Sequence, residues 1–174
     1  GWSGNINVTH TSPYRLQVIL PGETAVQGKW NATPYGKTGT PSIQTAGTLF
    51  TITVNGTDLY WNKITQLPQS TTTVKIETND QFDTHPSNRA LTGGSTTFSI
   101  TLVTVSTYSV VIASEATVNY YSQYPNSSDL LEVTFGSKSK LLVLVPGETA
   151  VPGNTSIGGK TGTPTSHAAG TNFN

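Results

Sequence analysis

Cysteine is absent from the 174 residues, which excludes disulfides and thiolate metal sites. Methionine is absent too, and the chain starts at Gly1, as expected of a processed or excised product whose signal peptide, if one existed, is already gone. Charge is scarce. Only 10% of residues are Asp, Glu, Lys or Arg, against about a quarter in an average soluble protein. Nine basic residues balance nine acidic ones, leaving no net field for nucleic acid or an anionic membrane. No run approaches the roughly eighteen consecutive apolar residues that span a bilayer, and no stretch carries helical periodicity.

Thr, Ser, Gly and Asn stand where charges would. A surface with so little repulsion suits a secreted, extracellular or cell-surface protein that associates or carries sugar. Strand signals dominate: Phe50, Ile52 and Val54 alternate with Thr51, Thr53 and Asn55, and Val74 and Ile76 alternate with Thr73, Lys75 and Glu77. Phe98, Ile100 and Leu102 repeat the pattern, followed by Tyr108, Val110 and Ile112. Such alternation predicts strands buried on one face. Asn55-Gly56, Thr78-Asn79-Asp80, Gly93-Gly94 and Pro125-Asn126 read as the turns between them. The expected fold is all-β, a two-sheet sandwich.

The strongest signal is an internal repeat. Leu16 to Val26 (LQVILPGETAV) returns as Leu141 to Val151 (LLVLVPGETAV), an offset of 125 residues. Gly36-Lys37-Thr38-Gly39-Thr40-Pro41 returns at Gly159 to Pro164, and Ala46-Gly47-Thr48 at Ala169 to Thr171, both offset by 123. Two loop residues are therefore missing from the second copy. The spacing is that of a whole sandwich domain rather than a solenoid turn of about 20–50 residues. Three segments follow: an N-terminal strand over residues 1–12, one complete unit over 13–138, and the opening of a second unit over 139–174.

The PGETAV block, the GKTGTP segment with Ala46-Gly47-Thr48, and Val54-Asn55-Gly56-Thr57-Asp58 leading to Trp61-Asn62 resemble a family of bacterial surface proteins built from immunoglobulin-like repeats. The resemblance implies a secreted protein built of immunoglobulin-like β-sandwich domains, and no enzymatic activity is expected of the chain. Within residues 1–12, Ile6 and Val8 alternate with Asn5, Asn7 and Thr9, and hold the place of a last strand whose own domain is missing. Unpaired edges recruit strands from other chains. The expectation is an extracellular fibre in which Ile6, Val8 and Trp2 of one copy enter the incomplete sandwich of another, an assembly resembling donor-strand exchange among pilus subunits. Such a contact propagates as a homopolymeric filament. The alternative is a piece of a tandem adhesin or carbohydrate-binding stalk.

Other motifs carry less. Gly36-Lys37-Thr38 lacks the upstream glycine of a phosphate loop, Asn31 holding that place, and Gly39-Thr40-Pro41 follows where a helix should begin. Ser137-x-x-Lys140 echoes penicillin-binding enzymes without their Ser-Asp-Asn. His10, His85 and His167 are isolated, and Asp58, Glu77, Asp80 and Asp83 show no calcium-loop spacing, so no metal, cofactor or catalytic group is expected. Sequons stand at Asn7, Asn31, Asn55, Asn126 and Asn154, with Asn7 and Asn55 on polar strand faces, as candidates for covalent glycans. Trp2, Trp30, Trp61, Tyr120, Tyr121 and Tyr124 serve either as a sugar-stacking face or, more commonly, as core and interface anchors.

Overall fold

A computed structural model describes residues 4–66, 68–117, 120–121 and 126–172. Trp2 and Tyr124 lie outside the described residues. The strands are β1 (Arg15–Ile19), β2 (Glu23–Ala25), β3 (Lys37–Gly39), β4 (Gln44–Thr45), β5 (Phe50–Thr57), β6 (Thr73–Thr78), β7 (Arg89–Ala90) and β8 (Ser95–Ile100). They continue with β9 (Ser106–Ser109), β10 (Val111–Glu115), β11 (Asn126–Ser127), β12 (Leu131–Thr134), β13 (Glu148–Ala150) and β14 (Lys160–Gly162). Among the described residues there is no α-helix.

One layer is the antiparallel sheet β1-β5-β8. The other combines β11-β10-β6-β7 with β4-β12-β9, in which β4 and β12 run parallel. Only Val110 separates β9 from β10, and Asn79 accounts for the break. Its side chain accepts from the Val110 N–H at 2.8 Å and donates to the Tyr108 carbonyl at 2.9 Å, so both of these backbone groups keep a partner at the break. The fold is an all-β sandwich.

The core follows from the period of two. Leu16 and Val18 of β1, Ile52 and Val54 of β5 and Phe98 and Ile100 of β8 meet Val74 and Ile76 of β6, Val111 and Ala113 of β10, and Leu131 and Val133 of β12. Each such side chain contributes about 1.5–3 kcal/mol by leaving water. This single cluster draws on residues 16 to 133 and takes nothing from the C-terminal segment.

Two local expectations need correction. Asn55-Gly56 is not a turn; both residues lie inside β5, Asn55 facing Gln17 and Gly56 facing Leu16. Gly56 is there because a Cβ would collide with the Tyr121 ring laid across it. In the region of β9 and β10 the buried face belongs to Ser109, Val111 and Ala113, with Tyr108 exposed. Three consecutive apolar residues, Val110 to Ile112, fit either phase of the alternation, and the packing selects the opposite one.

Candidate functional site

The PGETAV and GKTGTP blocks build the same hairpin twice. β2 pairs with β3, and β13 pairs with β14, in the same register: Thr24 faces Thr38, and Thr149 faces Thr161. Gly22 and Gly39 have φ of 89°, and their counterparts Gly147 and Gly162 have 95° and 96°. A Cβ on Gly39 would strike the Gly22 carbonyl oxygen, and one on Gly162 would strike that of Gly147. Glu23 accepts the Leu20 N–H at 2.8 Å and pairs with Lys37 at 2.7 Å. Glu148 accepts the Val145 N–H at 3.0 Å and pairs with Lys160 at 2.8 Å.

The surroundings of the two hairpins differ. Burial pushes the Glu23 carboxyl above its ordinary range despite Lys37, whereas the Lys160 hydrogen bond holds Glu148 below it. Lys37 also reaches Asp129 at 3.3 Å, from the segment entering β12. Lys160 reaches the Val143 carbonyl instead, at 3.3 Å.

The strand preceding each hairpin shows the contrast most sharply. In the first copy it is β1, paired with β5 along its length, and Leu16 is 2% exposed. In the second copy, no sheet receives residues 141–144, and exposure alternates: Leu141 96%, Leu142 45%, Val143 71%, Leu144 43%. Leu142 and Leu144 are the half-covered pair; the bare pair, Leu141 and Val143, matches the core-facing Leu16 and Val18. Among the described residues, the side chains that would match core positions are thus left exposed on this segment.

The N-terminal segment is its mirror image. Ile6, Val8 and Thr9 align with Leu131, Val133 and Thr134 at the offset of 125 already seen in the first repeat block. Leu131 and Val133 of β12 are 0% and 1% exposed, while Ile6 and Val8 are 84% and 86% exposed. The place of this segment as a last strand is legible in the sequence; its residue-by-residue match to β12 is not, because within the block only Val8-Thr9 is identical to Val133-Thr134.

Within the sandwich, β12 lies parallel to β4, with Val133 opposite Gln44 and Thr134 opposite Thr45. By the two offsets, Val8 and Thr9 at one end of the chain and His167 and Ala168 at the other are the counterparts of those pairs.

The remaining candidates disperse. Asp58 collects N–H groups at the turn carrying Trp61, while Asp80 binds Val103 and Thr104, and Asp83 binds Thr78 and His85. Among the described residues no three His, Asp or Glu side chains stand close enough to hold a metal ion. The aromatic residues form no common platform. Tyr121 is buried and donates to the Gln69 carbonyl, Trp30 meets Tyr60 edge-on at 5.8 Å, and the Arg15 guanidinium lies 4.3 Å from the Trp61 ring centre. A cleft of about 630 Å³ opens beside Arg15, Tyr35, Lys37, Trp61 and Asp129.

Asn7 and Asn31 are exposed, Asn154 is half-buried, and Asn126 lies in β11 opposite Ala113. Asn55 sits on the outer face of its strand as expected, yet it is 8% exposed and bonded through both amide atoms, to Gln17 and Ser95. The folded sandwich therefore leaves no room for a glycan at Asn55, because the β2–β3 hairpin covers a face that alternation alone marks as polar.

No known protein family, curated protein or solved structure matches the chain.

Proposed function

We propose that this chain is a structural unit of an extracellular β-sandwich fibre, and that its two end segments are strands shared with neighbouring immunoglobulin-like units. The observation that carries this reading is the double contrast between copies: the strands that match by spacing are buried within the central sandwich, while Ile6, Val8, Leu141 and Val143 are exposed at the two ends. Residues 5–9 of one molecule take the role of β12, and residues 141–170 of another take the roles of β1 to β4. Their meeting reproduces the parallel contact between β12 and β4.

Magnitudes set a limit on what one strand achieves. Burying Ile6 and Val8 contributes about 1.5–3 kcal/mol each, and each main-chain hydrogen bond about 0.5–1.5 kcal/mol net. Association costs on the order of 4–15 kcal/mol. The donated strand therefore works together with the bare face of Leu141 and Val143. Copies of the chain are the proposed partners, and glycans at Asn7, Asn31 or Asn154 are compatible decoration.

A second reading is favoured by the common spacing of the end segments: consecutive units of one longer polypeptide, joined covalently in a tandem surface array. Sedimentation velocity separates the two. For the fibre, mass rises with concentration, and Ile6→Asp with Val8→Asp abolishes the rise without lowering the unfolding midpoint. A chain monomeric at every concentration, or an association indifferent to both substitutions, removes the fibre reading.

A further inference from the structure

The two copies of the opening strand differ at one position that the sandwich makes decisive. Gln17 lies on the outer face of β1, 4% exposed, directly opposite Asn55 of β5. Its Nε2 donates to the Gly36 carbonyl at 2.7 Å, and its Oε1 accepts from Asn55 Nδ2 at 3.1 Å. Asn55 Oδ1 in turn accepts from Ser95 Oγ at 2.7 Å, on β8. A polar row thus crosses three strands beneath the hairpin. At the same place the second copy carries Leu142.

A leucine opposite Asn55 would leave the buried Asn55 Nδ2 without its acceptor, at a cost of about 1–3 kcal/mol, while the Gly36 carbonyl would keep the Val26 N–H that it accepts at 2.7 Å. Specificity by an unpaired polar group is a general device. Leu142 is thus disfavoured opposite an asparagine placed as Asn55 is in β5. Cross-strand neighbours on one face pair by chemical kind, so the strand that receives residues 141–145 carries an apolar residue where β5 carries Asn55.

We infer that residues 141–145 are a docking strand for an antiparallel strand of a non-identical sandwich unit, one with an apolar residue opposite Leu142. A second copy of this chain supplies the N-terminal strand but not the sheet. This refines the strand-sharing reading above and rests on it for its setting.

The full chain tests the pairing rule by itself, because Gln17→Leu writes the second copy's residue into the first copy's slot. Denaturant unfolding of dilute protein is compared for wild type, Gln17→Leu, Asn55→Val and the double variant. The expected result is a folding equilibrium constant about tenfold lower or more for Gln17→Leu, the loss typical of a buried hydrogen-bonding group left unpaired, with most of it recovered in the double variant. A Gln17→Leu chain as stable as wild type, or a double variant no better than Gln17→Leu, overturns the inference. Dilute monomer suffices for the measurement, so its outcome is independent of whether the chain forms fibres.

Discussion

Thr11 is fastened to Asp58 across 47 residues of sequence, its backbone N–H and its hydroxyl both donating to one carboxylate oxygen, at 2.9 Å and 3.2 Å. This bond fixes the root of the N-terminal segment, and the Tyr14 N–H reinforces it by donating to the Thr57 carbonyl at 2.9 Å. The other Asp58 oxygen accepts from the N–H groups of Tyr60 and Asn62, closing the turn in which Trp61 adopts a φ of 67°. A side chain at positive φ is strained, and the Asp58 bonds hold it there. One carboxylate therefore positions both the exposed strand and the tryptophan beside Arg15.

Acid should undo this arrangement. Burial alone would raise the Asp58 carboxyl, but the N–H donors from Thr11, Asn62 and Tyr60 prevail and hold it below the usual range; Asp80 is held down likewise by Thr104, Val103 and Phe82. Groups lowered in the folded state stabilise it above their unfolded pKa, and that stabilisation is lost as pH falls through their folded values. Thermal unfolding should therefore be nearly flat from about pH 7 to about pH 5 and fall steeply below about pH 4, the range where free aspartate titrates. Asp58→Asn and Asp80→Asn should each lower the midpoint at neutral pH and flatten the acid limb. Glu23 acts in the opposite sense, since its raised carboxyl costs stability as pH rises through its folded value. An acid limb unchanged by both aspartate substitutions would show that other groups control it.

The period-two strands, the sandwich and the repeat are legible in the residues, because Phe50, Ile52 and Val54 or Phe98 and Ile100 leave no other face for the core. Less visible is what covers the outer face. Asn55 and Gln17 look solvent-facing by alternation, and only the fold of the β2–β3 hairpin over β1 and β5 makes them buried partners. The phase of β10 was hidden by Val110, Val111 and Ile112, which satisfy both registers. The correspondence of Val8 with Val133 depends on knowing that β12 completes the core.

Equivalent residues in the two copies should respond oppositely to truncation. Leu16→Ala removes a side chain enclosed by the core and should cost about 2–5 kcal/mol in unfolding free energy. Leu141→Ala, at 96% exposure, should change the dilute monomer by less than about 0.5 kcal/mol, as for surface sites generally. Under conditions of association the ranking should change, with Leu141→Ala weakening assembly. Equal losses for the two variants in the monomer would mean that the C-terminal strand is already covered.

The sharing of end strands is tested most directly by cross-linking, which the absence of cysteine makes clean. Val133 lies opposite Gln44 in the parallel contact of β12 with β4, and their counterparts in the end segments are Val8 and His167. Chains carrying Val8→Cys alone and His167→Cys alone are mixed and oxidised. Strand sharing gives a mixed disulfide between the two variants well above the yield of random collision. A mixed product no more abundant than chance allows would contradict it.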